Sequence, residues 1–164
     1  MKKFKLFLIL ILIPLFCFAQ ERTFYFARHG QRGDLRCRVT FKNCTEDSLM
    51  PKGILQAEAL GNYMKETGFS GTVYVSPYCR TLETASIAAK SLILEPRCQE
   101  VTGLKSATKP VSITKKCLTK KEIKQNFPNV EIPKKMKFPW RLENEKESLA
   151  DERISSLIDD LLLN

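Results

Sequence analysis

Apolar and polar positions alternate with two different periods along the chain, and the switches between them outline its elements. An aromatic-rich run, Thr23-Phe24-Tyr25-Phe26-Ala27, stops abruptly at Arg28-His29-Gly30-Gln31-Arg32-Gly33-Asp34. Phe and Tyr suit the pleated surface of a sheet and glycine suits a sharp turn, so this stretch predicts a strand delivering a loop. From Met50 the period becomes helical: Ile54, Ala57, Leu60, Gly61 and Met64 recur at intervals of three and four, after Pro51 and Gly53 and before Gly68. Phe69 to Val75 predicts a short strand. Thr81 to Leu92 predicts a second helix, with Ala85, Ala88 and Ala89 allowing close packing. After Leu92 the pattern weakens, and Gly103 to Lys116, polar and aperiodic, reads as a surface loop. Leu118 through Phe127-Pro128 predicts a short helix with Thr119 as N-cap and Glu122 closing a capping box. Asn129 to Leu142, with Pro133 and Pro139, is mostly extended. Glu147 to Leu163 predicts an amphipathic helix with the stripe Leu149, Ile154, Leu157, Ile158, Leu161 and Leu162.

Strand, helix, strand, helix is the alternation of an α/β fold with a parallel sheet. Parallel strands place the loops after their C-terminal ends on one edge, so the loops bearing His29 and Arg80 can converge although 51 positions separate them. There are no internal repeats and no linker, and 164 residues fit one domain.

The N-terminus is a separate matter. Lys2, Lys3 and Lys5 precede an apolar stretch from Leu6 to Phe18, and Ala19 is a small residue at a cleavage position. This predicts a secretory signal peptide over 1–19, a mature domain over 20–164, and export to a periplasmic or extracellular space. The apolar run is shorter than the roughly 18 to 20 residues that span a bilayer, so membrane contact is expected only through this segment if it stays uncleaved. Removing it lowers the formal charge from +9 to +6, with 24 basic residues against 18 acidic ones. The lysines gather in Lys105 to Lys124 and Lys134 to Lys137 without interleaved aromatics, which describes a solvated face better than a nucleic-acid surface. Five cysteines remain: Cys37, Cys44, Cys79, Cys98 and Cys117. In an exported chain, Cys37 and Cys44 can close a short loop after the first strand. One histidine and no zinc-type spacing make a metal site improbable, and no cofactor is expected.

The chemistry centres on His29, the only histidine. It stands among Arg28 and Arg32, whose planar guanidinium forks match the oxygens of a phosphate. A neutral imidazole nitrogen can attack phosphorus near neutral pH. Each residue also has a plainer reading: Arg80 as a surface residue at a helix start, Arg32 as a partner of Asp34, Glu100 as a solvated loop acid. Asp34, Ser76 and Thr84 read as residues that support the site from behind or are structural.

Arg28-His29-Gly30 after a hydrophobic run, followed by Val73-Tyr74-Val75-Ser76-Pro77-Tyr78-Cys79-Arg80-Thr81-Leu82-Glu83-Thr84-Ala85, resembles the two signature elements of the histidine phosphatase (phosphoglycerate mutase-like) superfamily. The His-Gly-Gln-Arg-Gly-Asp variant is similar to the branch containing the suppressor of T-cell receptor signalling phosphatases. The resemblance runs from about Phe24 to the C-terminus. It implies a three-layer α/β/α fold with a mostly parallel sheet, a phosphomonoester substrate and a phosphohistidine intermediate at His29. It also implies an oxyanion cradle of Arg28, Arg32 and Arg80, no metal, and Glu100 as the proton donor, a role that needs a raised pKa. Relatives carry a second histidine on a strand after the last helix. This sequence has none and ends at Asn164, so the resemblance implies a C-terminally incomplete sheet with unpaired apolar edges. Three readings follow: an exported phosphatase, a non-catalytic phosphate-binding or interaction module, and a truncated inactive product.

Overall fold

The computed structural model describes residues 22–33, 48–100, 118–136 and 147–163. The signal segment, Asp34, Cys37, Cys44, the loop Gly103 to Lys116 and Trp140 lie outside the described residues. The fold is mixed α/β. Helices α1 (Pro51–Glu66), α2 (Cys79–Ala88), α3 (Lys120–Asn126) and α4 (Glu147–Leu163) accompany strands β1 (Tyr74–Val75), β2 (Leu92–Leu94) and β3 (Val130–Glu131), with a 3-10 turn at Pro96–Cys98. The strands form one parallel sheet in the order β1-β2-β3, with Val75 opposite Leu94 and Leu92 opposite Val130. Each parallel step is bridged by a helix, α2 and then α3, as parallel pairing requires. This is the helix-and-sheet layering that the alternation predicts.

The core forms where the helices meet the sheet. Val75, Leu92, Leu94 and Val130 present their buried side chains to Cys79 and Leu82 of α2 and to Leu118, Ile123 and Phe127 around α3. Thr119 caps α3 with both arms of the box in place: its hydroxyl accepts from the Glu122 amide, and the Glu122 carboxylate accepts from the Thr119 amide. Helix α1 packs on α2 and buries a stripe of small residues, Gly53, Ala57 and Gly61, of which Gly61 lies against the Ala88 backbone of α2. The larger Ile54, Leu60 and Met64 flank that stripe half-buried, because it is the backbone that comes close. At the far end Gly68 adopts φ +66° and the Phe69 amide reaches back to the Met64 carbonyl, which closes the helix in a glycine-dependent turn.

Four expectations need correction. Thr23 to Ala27 is not a strand: residues 22–28 are exposed, with Phe26 at 87%, and none of their backbone groups takes part in backbone hydrogen bonding among the described residues. Aromatic propensity does not suffice, because a strand exists only where a neighbour accepts its hydrogen bonds. The segment is held from its side chains, by Arg22 donating to the Leu161 carbonyl at 2.6 Å and by Tyr25 edge-on to Phe69. The strand expected over Phe69 to Val75 is only Tyr74–Val75. Helix α2 ends at Ala88, since Ala89 is already extended and β2 starts at Leu92. Along α4, Leu157 is buried, whereas Leu149, Ile154, Ile158 and Leu162 of the expected stripe are exposed. No helix among the described residues is long and apolar enough to cross a membrane.

Candidate active site

Two side chains of the site leave the C-terminal ends of neighbouring strands. β1 runs into Ser76-Pro77-Tyr78 and the first turn of α2, which carries Arg80; β2 runs through the Pro96–Cys98 turn to Glu100. A tight hydroxyl arrangement shapes the first connection. The Thr81 hydroxyl donates towards the Ser76 and Tyr78 carbonyls at 2.6 and 2.7 Å and fixes the turn that starts α2. Arg80 is buried with its guanidinium 4.2 Å above the Tyr78 ring, so its reach is set by packing.

His29 arrives from a different direction. The Gly30 amide donates to the Thr84 hydroxyl at 3.0 Å, the Gln31 amide to the Gln56 side chain at 2.8 Å, and the Met50 amide to the Gln31 carbonyl at 2.9 Å. The loop thus lies across the N-terminal ends of α1 and α2. Contact with α1 is close enough to exclude side chains. A Cβ on Gly30 would fall 2.5 Å from the Gly53 carbonyl oxygen, and one on Gly53 would fall 2.3 Å from that of Gln31. The return strand of the loop is held by Glu83, a fully buried acid whose carboxylate accepts from the Leu49 amide at 2.6 Å. Arg32 pairs with Leu49 in an antiparallel bridge.

These tethers bring His29, Arg80 and Glu100 together. Glu100 accepts a charged hydrogen bond from Arg80 Nη2 at 2.8 Å on one carboxylate oxygen, while its other oxygen lies 3.6 Å from His29 Nε2. His29 Nδ1 is 2.8 Å from the Gly30 carbonyl, an acceptor only, so Nδ1 carries a proton and it is Nε2 that offers a lone pair when the ring is neutral. The nucleophilic nitrogen therefore faces the carboxylate. Burial pushes the Glu100 carboxyl up, but the Arg80 hydrogen bond and the charges of Arg80, His29 and Arg32 outweigh it and hold the group below its ordinary value. The raised value expected of a proton donor is not found in this arrangement, because the carboxylate is itself the anion that the cations surround. Arg80 Nε is buried without an acceptor, so the guanidinium has unused capacity for a second oxygen.

Arg28 and Arg32 are exposed and line an open cleft beside His29 with Gln31 and Gln56. Arg32 acts on Glu100 through its charge, whereas no contact joins Arg28 to Glu100 or Arg80 among the described residues. No group of three or more His, Cys, Asp or Glu among the described residues is arranged to hold a metal ion. Sequence reasoning missed Glu83 and Gly53, and it gave Thr84 no position. A buried acid three helical positions past Arg80 has no composition signal. Gly53, by contrast, is a helix-breaking residue inside a helical pattern, which signals a close backbone approach.

The family model of the histidine phosphatase superfamily (branch 1) matches residues 24–162. Among solved structures, the chain is similar to the ecdysone phosphate phosphatase EPPase from Bombix mori, determined in complex with tungstate. The TM-score is 0.53 at 19% identity, over 81% of this chain and 65% of that one. This chain therefore spans just under two thirds of that protein, and the likeness bears on the fold alone. Comparison with curated proteins gives no match. With the family model covering the loop of His29, the turn of Arg80 and all four helices, the chain belongs to the histidine phosphatase superfamily.

Proposed function

We propose that this protein is an exported phosphatase that hydrolyses phosphomonoesters through a phosphohistidine at His29. One observation carries the reading: a single carboxylate lies between His29 Nε2 and Arg80 Nη2, so an oxyanion fits between the nucleophile and a buried guanidinium. In the proposed reaction a phosphate replaces the Glu100 carboxylate on Arg80 and takes up the unused Nε as well, with Arg28 and Arg32 on the solvent side. The Nε2 lone pair forms the P–N bond as the P–O bond to the leaving group breaks. The displaced Glu100, now beside a phosphate dianion and no longer bonded to Arg80, is driven towards its protonated form and gives its proton to the departing alkoxide. Water then attacks phosphorus, its proton passes to Glu100, and inorganic phosphate leaves with His29 restored.

Export is supported by the N-terminal pattern and by Cys79, which is disulfide-bonded. Such bonds persist in oxidising compartments. A non-catalytic phosphate-binding role is favoured by a different observation, the Glu100 carboxyl held below its ordinary value by Arg80, which does not suit a proton donor. Turnover separates the two. The chain should bind inorganic phosphate or vanadate with an affinity that Arg80→Ala lowers, and it should hydrolyse para-nitrophenyl phosphate with a rate that His29→Ala abolishes. Binding without hydrolysis selects the binding role. Phosphate affinity unchanged by Arg80→Ala removes the site altogether.

A further inference from the structure

The only acid facing His29 among the described residues sits on a short turn that is fastened to the C-terminal helix. Arg153 of α4 donates through Nη1 to the carbonyl of Arg97 and, at 3.2 Å, to that of Gln99, the residue before Glu100. Arg97 in turn donates to Asp160 Oδ2 at 2.5 Å and to the Ser156 carbonyl at 3.2 Å, and grips Glu95 through Nε and Nη2 at 3.0 and 2.8 Å. Residues 153, 156 and 160 fall on one face of α4, at spacings of three and four, so that face reads the turn from both ends.

We propose that Arg153 is a positioning residue, whose hold on the Arg97 and Gln99 carbonyls aims the Glu100 carboxylate at Arg80 and His29. The inference rests on the phosphate-site reading above and adds a control from a helix that contributes no group to the cleft. Two observations separate this role from a direct electrostatic one. The charges acting on the Glu100 carboxylate are those of Arg80, His29 and Arg32, not that of Arg153. And Gln99 is buried with its side-chain oxygen unpartnered, so that oxygen adds nothing to the hold that Arg153 has on the Gln99 carbonyl. A guanidinium is suited to this task, since its planar fork presents several N–H groups in fixed geometry, whereas a lysine ammonium offers a point charge. Without the clamp, Glu100, with its side chain 58% exposed, is free to swing into solvent.

A double-mutant cycle on the full chain tests the proposal, with Glu100→Gln as one arm and Arg153→Ala as the other. The first readout is the ring-proton NMR line of His29, which is unambiguous in a chain with one histidine. Glu100→Gln should move this line, Arg153→Ala should move it the same way, and the double variant should match Glu100→Gln alone. The second readout is titration with inorganic phosphate. Both single variants should bind phosphate several-fold more tightly, because the competing carboxylate is gone or withdrawn, and the double variant should gain nothing further over Glu100→Gln. Arg153→Lys keeps the charge and most of the stem but loses the two-carbonyl bridge; it should fall between parent and Arg153→Ala, and it carries the test if the alanine variant does not fold. Additive effects of Arg153→Ala on both backgrounds, or an unmoved His29 line, overturn the proposal. If the parent binds no phosphate, the phosphate-site reading fails, while the His29 line still decides whether Arg153 positions Glu100.

Discussion

The Thr84 hydroxyl accepts the Gly30 amide at 3.0 Å and donates to the Arg80 carbonyl at 2.7 Å, so one side chain ties the loop of His29 to the helical turn of Arg80. Both ends of this link are buried. Thr84→Val keeps the shape and removes the hydroxyl, leaving a buried N–H without an acceptor. The expected loss is about 1 to 3 kcal/mol of stability. Thr84→Ser should restore most of it, and phosphate affinity should follow the same order. Thermal melts and phosphate titration of the three proteins check this; a valine variant equal to the parent in both would show that the loop is held by α1 alone.

How much of this was legible in the sequence depends on whether the cause is local. Helix α1 was readable from its period and its Pro51 and Gly68 boundaries, and α3 from the Thr119 and Glu122 spacing, because those causes lie within a few residues. Arg80 and Glu100 do follow the C-terminal ends of the parallel strands β1 and β2, whereas His29, expected at that edge from a strand of its own, is delivered by a loop tied to Gln56 of α1 and Thr84 of α2. Thr23 to Ala27 shows the limit. Its aromatics have strand propensity, but pairing is a property of two segments, and among the described residues none lies alongside. The exposed leucines and isoleucines of α4 show the same limit for a helix, since a stripe reveals a face able to be buried and not what covers it. Glu83 was beyond reach for another reason: an acid in the sequence is presumed solvated, and only the tertiary position of the Leu49 amide explains its burial.

Gly53 offers a test in which two effects of opposite sign compete. Glycine inside a helix costs up to about 1 kcal/mol relative to alanine, so Gly53→Ala by propensity alone should stabilise α1. The added Cβ, however, meets the Gln31 carbonyl oxygen at 2.3 Å and its nitrogen at 2.9 Å, both rigid backbone atoms. The loop must move, and overpacking of this kind typically costs about 1 to 3 kcal/mol. Gly53→Ala is expected to melt lower than the parent and to lose phosphate affinity. Gly61→Ala, whose Cβ meets the Ala88 carbonyl at the looser 3.0 Å, should leave phosphate affinity nearly intact. Equal phosphate binding by the parent and Gly53→Ala would mean that the loop tolerates displacement.

The disulfide at Cys79 makes the site sensitive to reductant. Cys79 is the first residue of α2, fully buried, and adjacent to Arg80. A disulfide typically adds about 2 to 4 kcal/mol. Dithiothreitol is expected to lower the melting temperature and, by loosening the first turn of α2, to weaken phosphate binding. Cys98, a free and exposed thiol, supplies the control: Cys98→Ser should leave both responses unchanged. A melting temperature indifferent to reductant would show that the bond is absent from the folded protein or adds nothing to it.

Glu83 and Glu100 should give the stability of the fold opposite dependences on pH. Burial raises the Glu83 carboxyl, and the Leu49 amide and Ser48 hydroxyl pull it down by less, so its folded value lies above the ordinary glutamate value of about 4.3. The folded state then keeps its proton to higher pH than the unfolded chain does. Stability from this group is complete below about 4.3 and is lost as pH rises through the folded value. Glu100 runs the other way. Its depressed value makes its contribution present above about 4.3 and lost as pH falls through the folded value, and its exposure keeps that contribution small. In a Glu100→Gln background, melting temperature should therefore decline as pH rises above about 4.3, and adding Glu83→Gln should flatten that decline. The glutamine keeps an acceptor for the Leu49 amide and cannot ionise, whereas Glu83→Leu leaves that amide unpaired and should cost about 1 to 3 kcal/mol at every pH. If the slope survives Glu83→Gln, another buried group is responsible and the carboxyl beneath the loop is ionised throughout.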